Sequence, residues 1–167
     1  MTPIWSRFMH RIRSYPHGVH ELRPACKQQR IDLVERQLGK LPDVLLQMLT
    51  YFNGAHLFNA GYGADMISLF GISEEPPPPK FEWPSEWTID NFTPEWRAAG
   101  ANRDSDWAIG MMNDGVLILL TGHNTIKKWE TARGHFAPGT MLLDEWLQEL
   151  FDQGEVYLKE AEQDAQK

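Results

Sequence analysis

The chain reads as an α+β fold, a single domain built mainly from an antiparallel sheet wrapped by helices. Three observations predict this. Apolar residues recur at helical spacing through residues 27–52 and again through 141–151. Between these blocks lie short apolar runs of strand length, and two of them are joined by Asn113-Asp114-Gly115, a strong hairpin signal. Helices first, strands next and a helix last is the order of an α+β domain, not of alternating βα units. At 167 residues the length suits one domain.

The elements follow in order. "IWSRFMHRI" can form an amphipathic turn or two before Pro16, Gly18 and Pro24 break the pattern. From Lys27 the periodicity turns helical, with Ile31, Val34 and Leu38 at i, i+3, i+7 and Gly39 as the stop. Pro42 suits a first helical turn, where its missing N–H is no loss, and Asp43 sits well at the positive end of the dipole. Leu41, Leu45, Met48, Leu49 and Phe52 line one face, and Asn53-Gly54 is expected to cap that helix in left-handed geometry. "AHLF" and "MISLFGI" read as strands. Residues 73–106, with four consecutive prolines and three tryptophans, read as a long loop within the domain. "WAIGMM" and "VLILL" form the hairpin. The second is apolar throughout and predicts a central strand buried on both faces. "TIKKWE" is a further strand and "RGHFAPG" a loop. Thr140 is the expected N-cap of a helix carrying Leu143, Trp146, Leu147, Leu150 and Phe151, with Gly154 as its expected interruption.

Composition narrows the function classes. The net charge is −7 and argues against a direct nucleic-acid binder, which needs a basic surface. Residues 1–30 nevertheless carry six basic residues and one acid, so an acidic body bears a basic N-terminal extension over 1–26, read as a docking segment. The single cysteine, Cys26, excludes a disulfide framework and fits a reducing, cytoplasmic setting. No apolar run is long enough to span a membrane, and the N-terminus lacks the apolar core of a secretory signal.

Several landmarks occur in a familiar order. Leu38-Gly39 is followed by Leu41-Pro42, Asn53-Gly54, "LFGI" at 69–72 and "WAIG" at 107–110. The strand 115–120, "IKKW" at 126–129 and "LLDEWLQELF" at 142–151 complete it. This order resembles the SUKH superfamily, the domain of Smi/Knr-type cell-wall assembly regulators and of bacterial toxin-immunity proteins. The resemblance covers about 28–151. The basic extension and the Pro/Trp-rich insert at 74–106 depart from it. What it implies is a helix-wrapped sheet that binds another protein without catalysis, in bacterial members a toxin and frequently a nuclease.

The residues themselves offer little chemistry. The histidines His10, His17, His20, His56, His123 and His135 form no HExxH and no i, i+4 pair within a helix. His17, His20 and Cys26 lie near one another in sequence without the spacing of a zinc site. Cys26 reads as a small hydrophobe, and Ser68 and Ser73 stand outside any G-x-S-x-G context. "AGYGAD" precedes a strand, where a phosphate-cradling loop would precede a helix. No metal or other cofactor is expected. Residues 74–114 hold nine acids against three bases, with tryptophans among them. Aromatic anchors in a field of one sign suit a basic protein partner, with the indoles for burial and the charges for steering. Glu82, Trp83, Glu86, Trp87 and Asp90 are the candidate partner contacts. The same residues could instead form a solvated acidic surface, pin the loop to the core, or flank a sugar. Three functions follow in order: a protein-binding immunity module, a regulatory scaffold docking through 1–26, and a small-molecule binder, most naturally of sugars.

Overall fold

A computed structural model describes residues 3–60, 65–74, 88–98 and 105–166. Helix α1 (Ile4–Ile12) leads into a two-residue strand β1 (Glu21–Leu22), then α2 (Gln28–Leu38) and α3 (Asp43–Tyr51). Strands β2 (Ala55–Asn59) and β3 (Asp65–Leu69) follow, then α4 (Ile89–Ala98), β4 (Trp107–Met112), β5 (Val116–Leu120) and β6 (Thr125–Glu130). Two short strands, β7 (His135–Phe136) and β8 (Met141–Leu142), precede the long closing helix α5 (Leu143–Ala165). Strands β1 to β7 lie side by side in chain order, every pairing is antiparallel, and β8 pairs with β6 beside β7. The α+β prediction therefore holds, as one sheet in a single domain.

The alternation on β6 shows how the layers are arranged. Lys128 reaches Glu149 of α5 at 2.6 Å, whereas its neighbour Trp129 packs edge-on against Trp96 of α4, ring centroids 5.1 Å apart. Successive side chains of a strand point to opposite faces, so α4 and α5 cover opposite faces of the sheet. Strand β5 lies between β4 and β6, and four of its five residues are buried. That explains "VLILL": a strand covered on both sides has no polar face.

Helix α1 is part of this core. Trp5, Phe8 and Ile12 are buried, and the Trp5 indole N–H donates to the Val44 carbonyl at 2.7 Å. Phe8 stacks on Phe52 and tilts against Phe151. The basic residues of α1 lie along acidic α5: Arg7 meets Asp144 at 3.1 Å, and Arg11 bonds Gln148 at 2.9 Å, approaches Glu155 at 3.6 Å and covers the Phe151 ring. The extension that charge alone set apart is thus docked within its own chain.

Other differences have local causes. Within the segment read as loop, Thr88 accepts the Asn91 N–H on its hydroxyl and starts α4, which buries Ile89, Thr93 and Trp96. Pro94 lies inside that helix, the sixth of its ten residues, where it cannot donate a backbone bond to the preceding turn. The loop "RGHFAPG" contains β7, held by Phe136 against Trp129 and Trp96. Thr140 is not the cap of α5; Leu142 occupies that position with no side-chain bond. Gly154 does not interrupt α5, which runs 23 residues. Instead a Cβ at Gly154 would overlap the ring of Phe58, so the glycine is the space into which that ring fits. Phe58 itself has φ 60, a conformation that breaks strand alternation and leaves Leu57 and Phe58 both buried.

Candidate functional site

The acidic, tryptophan-bearing segment leaves the sheet scaffold after β3 and returns at α4. Four of its proposed contacts, Glu82, Trp83, Glu86 and Trp87, lie outside the described residues. The fifth, Asp90, lies in the first turn of α4. It accepts the Ser73 backbone N–H on Oδ1 at 2.9 Å and the Ser73 hydroxyl on Oδ2 at 2.5 Å. Nearby, the Ile89 N–H donates to the Gly71 carbonyl at 2.8 Å. The chain's points of departure and return are therefore bonded to each other, and Asp90 works as a clasp facing inward.

A second tier holds the clasp to the scaffold. Arg30 of α2 donates from Nε to the Ser73 carbonyl at 2.7 Å and from Nη2 to the Ser73 hydroxyl at 2.8 Å. Arg23, 5% exposed, meets Glu74 at 3.0 Å. A buried pair of this kind adds little net stability, but removing one partner costs about 3–5 kcal/mol because the other charge stays behind. Asn53, wholly buried, donates to the Ile72 carbonyl at 2.9 Å and accepts the Ile72 N–H at 2.7 Å. Its amide thus does for residues 71–73 what a neighbouring strand would do.

This revises the reading of Asn53-Gly54. Helix α3 has already ended at Phe52, which is extended at φ −160. Gly54 does take a left-handed φ of 89, but the tight constraint is proximity: a Cβ there would lie 2.7 Å from the Gly71 nitrogen. Asn53, Gly54 and Gly71 form one close backbone crossing. Sequence reasoning missed Arg23, Arg30, Ser73 and the inward role of Asn53. The signal for α4 was present as Ile89, Phe92, Thr93 and Trp96 at i, i+3, i+4, i+7 behind Thr88.

The nucleophile candidates sit in environments that quiet them. Burial, with the nearby Glu74 charge, pushes the Cys26 thiol up to about 11 against weaker opposition from Arg30 and Arg23. Ser68, His56 and Asp65 do meet on β2 and β3, where Ser68 and His56 are cross-strand partners. Both Ser68 Oγ and Asp65 Oδ2 lie 3.0 Å from the same atom, His56 Nδ1. A relay triad needs the serine and the carboxylate on different ring nitrogens, so this cluster lacks that geometry. Burial alone would raise the Asp65 carboxyl; the His56 hydrogen bond and charge and the Asn59 amide bond outweigh it, and the net shift is downward. His20 accepts the Phe58 N–H on Nδ1 at 3.2 Å, between the rings of Tyr15 and Phe58. Burial holds its pKa down at about 4. Among the described residues no three His, Cys, Asp or Glu side chains gather as a metal site, and no helix is long and apolar enough to cross a membrane.

Compared with protein-family models and with curated proteins, the chain matches neither a family model nor a curated protein.

Proposed function

We propose that this protein is a cytoplasmic, non-catalytic binding module of the SUKH type, an immunity protein that neutralises a basic toxin, such as a nuclease, by stoichiometric binding. The observation that carries the reading is the clasp. An acidic segment with Trp83 and Trp87 is held at both ends, Ser73 to Asp90, and braced from below by Arg30, Arg23 and Asn53. Fixing the ends of a recognition segment in advance lowers the ordering cost of binding. Glu82, Trp83, Glu86 and Trp87 are then the contacts, and Asp90 supports them without facing the partner. The order of landmarks shared with the SUKH superfamily and the overall negative charge support the same reading, since a nuclease must carry a basic surface.

Docking of a scaffold partner through 1–26 is disfavoured by the burial of Trp5, Phe8 and Ile12 in the core. The test is affinity capture from the native host, with wild-type chain and a Trp83→Ala/Trp87→Ala double variant as parallel baits. A basic protein retained stoichiometrically by the first and lost from the second, and toxic to cells that lack the chain, is the expected result. Equal retention by both baits, or a captured protein with no toxicity, would refute the assignment.

A further inference from the structure

The backbone crossing beneath the clasp contains a chemically reactive pair. Of the six asparagines in the chain only Asn53 precedes a glycine. With no Cβ on the following residue to crowd the approach, Asn-Gly is the pair most open to cyclisation. The Gly54 nitrogen adds to Cγ of Asn53, the Cγ–Nδ2 bond breaks, ammonia leaves, and a five-membered succinimide remains. Water then opens the ring at one carbonyl or the other, giving aspartate or isoaspartate. Nothing is oxidised or reduced, and water is the only co-reactant.

The closed structure holds this reaction back. Nδ2, the group that must leave, donates to the Ile72 carbonyl at 2.9 Å, and Oδ1 accepts the Ile72 N–H at 2.7 Å. Two bonds to one residue fix the amide plane. Asn53 is wholly buried, so solvent does not reach it. A Cβ at Gly71 would overlap both Oδ1 and the carbonyl of Asn53, so the amide is boxed in too tightly to turn. On the other side the Asn53 N–H donates to the Arg23 carbonyl at 3.2 Å, and the Gly54 carbonyl accepts the Arg23 N–H at 3.0 Å. Only departure of residues 71–73 frees the amide, and those residues are tied down through Ser73 by Asp90 and Arg30.

We propose that Asn53 is a self-modification site gated by the clasp. While the clasp is shut the amide is preserved; when residues 71–73 open, Asn53-Gly54 deamidates, and the product prevents reclosure. A carboxylate only accepts hydrogen bonds, so it cannot donate to the Ile72 carbonyl, and it sets a negative charge against that oxygen in a buried place. Isoaspartate also puts its Cβ into the main chain, at a crossing where a Cβ on Gly54 would already lie 2.7 Å from the Gly71 nitrogen. A reversible local opening thereby becomes permanent, and the chain records the time its clasp has spent open. This holds whatever the insert binds.

The test incubates the full chain in mildly alkaline buffer, with and without urea, and follows conversion at each asparagine by peptide mass. In urea Asn53 should convert fastest of the six; in the folded chain it should be at least about tenfold slower than in urea. Ser73→Ala removes the hydroxyl bonds to Asp90 and Arg30, and Arg30→Gln loosens the same residue from α2. At global stability matched with urea to Gly154→Ala, either clasp variant should deamidate about tenfold faster than that reference. Deamidated chain, separated by ion exchange, should show faster amide exchange at Ile72 and Ser73 with β5 unchanged. Equal rates in the clasp variants and Gly154→Ala would assign the reaction to global unfolding and overturn the gate. So would folded chain converting as fast as unfolded, no preference for Asn53 in urea, or a deamidated product with wild-type exchange at Ile72 or with exchange accelerated throughout.

Discussion

Replacing Gly154 with alanine sets two effects against each other. In the middle of a 23-residue helix, alanine is better than glycine by about 1 kcal/mol on propensity alone. The packing argues the other way. The new methyl group would overlap Cδ1, Cε1 and Cζ of Phe58, and ordinary carbon contact at ~3.5–4.0 Å would require the ring to retreat by over ~1 Å. It has nowhere to go, since Tyr15 at 5.7 Å, His20 at 4.7 Å and Phe151 at 5.8 Å box it in and Phe58 is wholly buried. Overpacking costs roughly 1–3 kcal/mol, and a confined ring belongs at the upper end. The net expectation for Gly154→Ala is a loss of about 2 kcal/mol, or ~4–8 °C in melting temperature for a chain of this size. Urea titration measures it, and repeating the substitution in a Phe58→Leu background isolates the cause. If the ring is responsible, the penalty shrinks by about 1 kcal/mol or more in the second background. A Gly154→Ala protein as stable as wild type, or an identical penalty in both backgrounds, would show that helix propensity decides and that the fit to Phe58 does not.

Three other outcomes follow from the same geometry. Asn53→Ala strips both backbone groups of Ile72 of their partner, and at ~1–3 kcal/mol per buried group it should cost roughly 2–6 kcal/mol by urea unfolding, with exchange at the Ile72 amide accelerated. His20 has a folded pKa near 4, below its ordinary 6.5, so the unfolded chain binds the extra proton between those values. Stability should therefore fall as pH drops from 6.5 to 4, by roughly 2–3 kcal/mol, and His20→Gln should flatten that part of a stability-against-pH curve. Cys26, with its thiol near 11 against a reference of 9.0, should react with iodoacetamide about a hundredfold more slowly at neutral pH in the folded chain than in urea.

What could be read in advance was whatever depends on neighbours in sequence. The hairpin at 113–115, the doubly covered "VLILL" strand and the apolar stripe of α5 are set by local periodicity and turn chemistry. What could not be read depends on residues far apart. Gly154 looks like a helix breaker until Phe58, nearly a hundred positions away, is placed beside it. Asn53-Gly54 looks like a cap until Gly71 and Ile72 lie against it. The prolines hid α4, because Pro94 and the five before it in the segment carry a strong loop signal that outweighed the stripe Ile89, Phe92, Trp96. At the insert, composition pointed to the acids and indoles; of the residues that tie its ends, Ser73 bears no composition signal, and Arg23 and Arg30 stood out only as part of the basic N-terminal stretch, far from the insert in sequence.

The contact of α1 with α5 sets a timetable for biosynthesis. Strands that neighbour one another in the chain can pair as they leave the ribosome, and Trp5 and Phe8 can pack early on Val44 and Phe52, but the side of α1 that meets Phe151 stays open until α5 emerges. For most of translation the nascent protein therefore carries a first helix covered on its α3 side, while Arg7 and Arg11 still wait for their partners on α5. A message cut short before α5 would yield a product whose first helix keeps one apolar, cationic face open, a ready handle for chaperones and proteases.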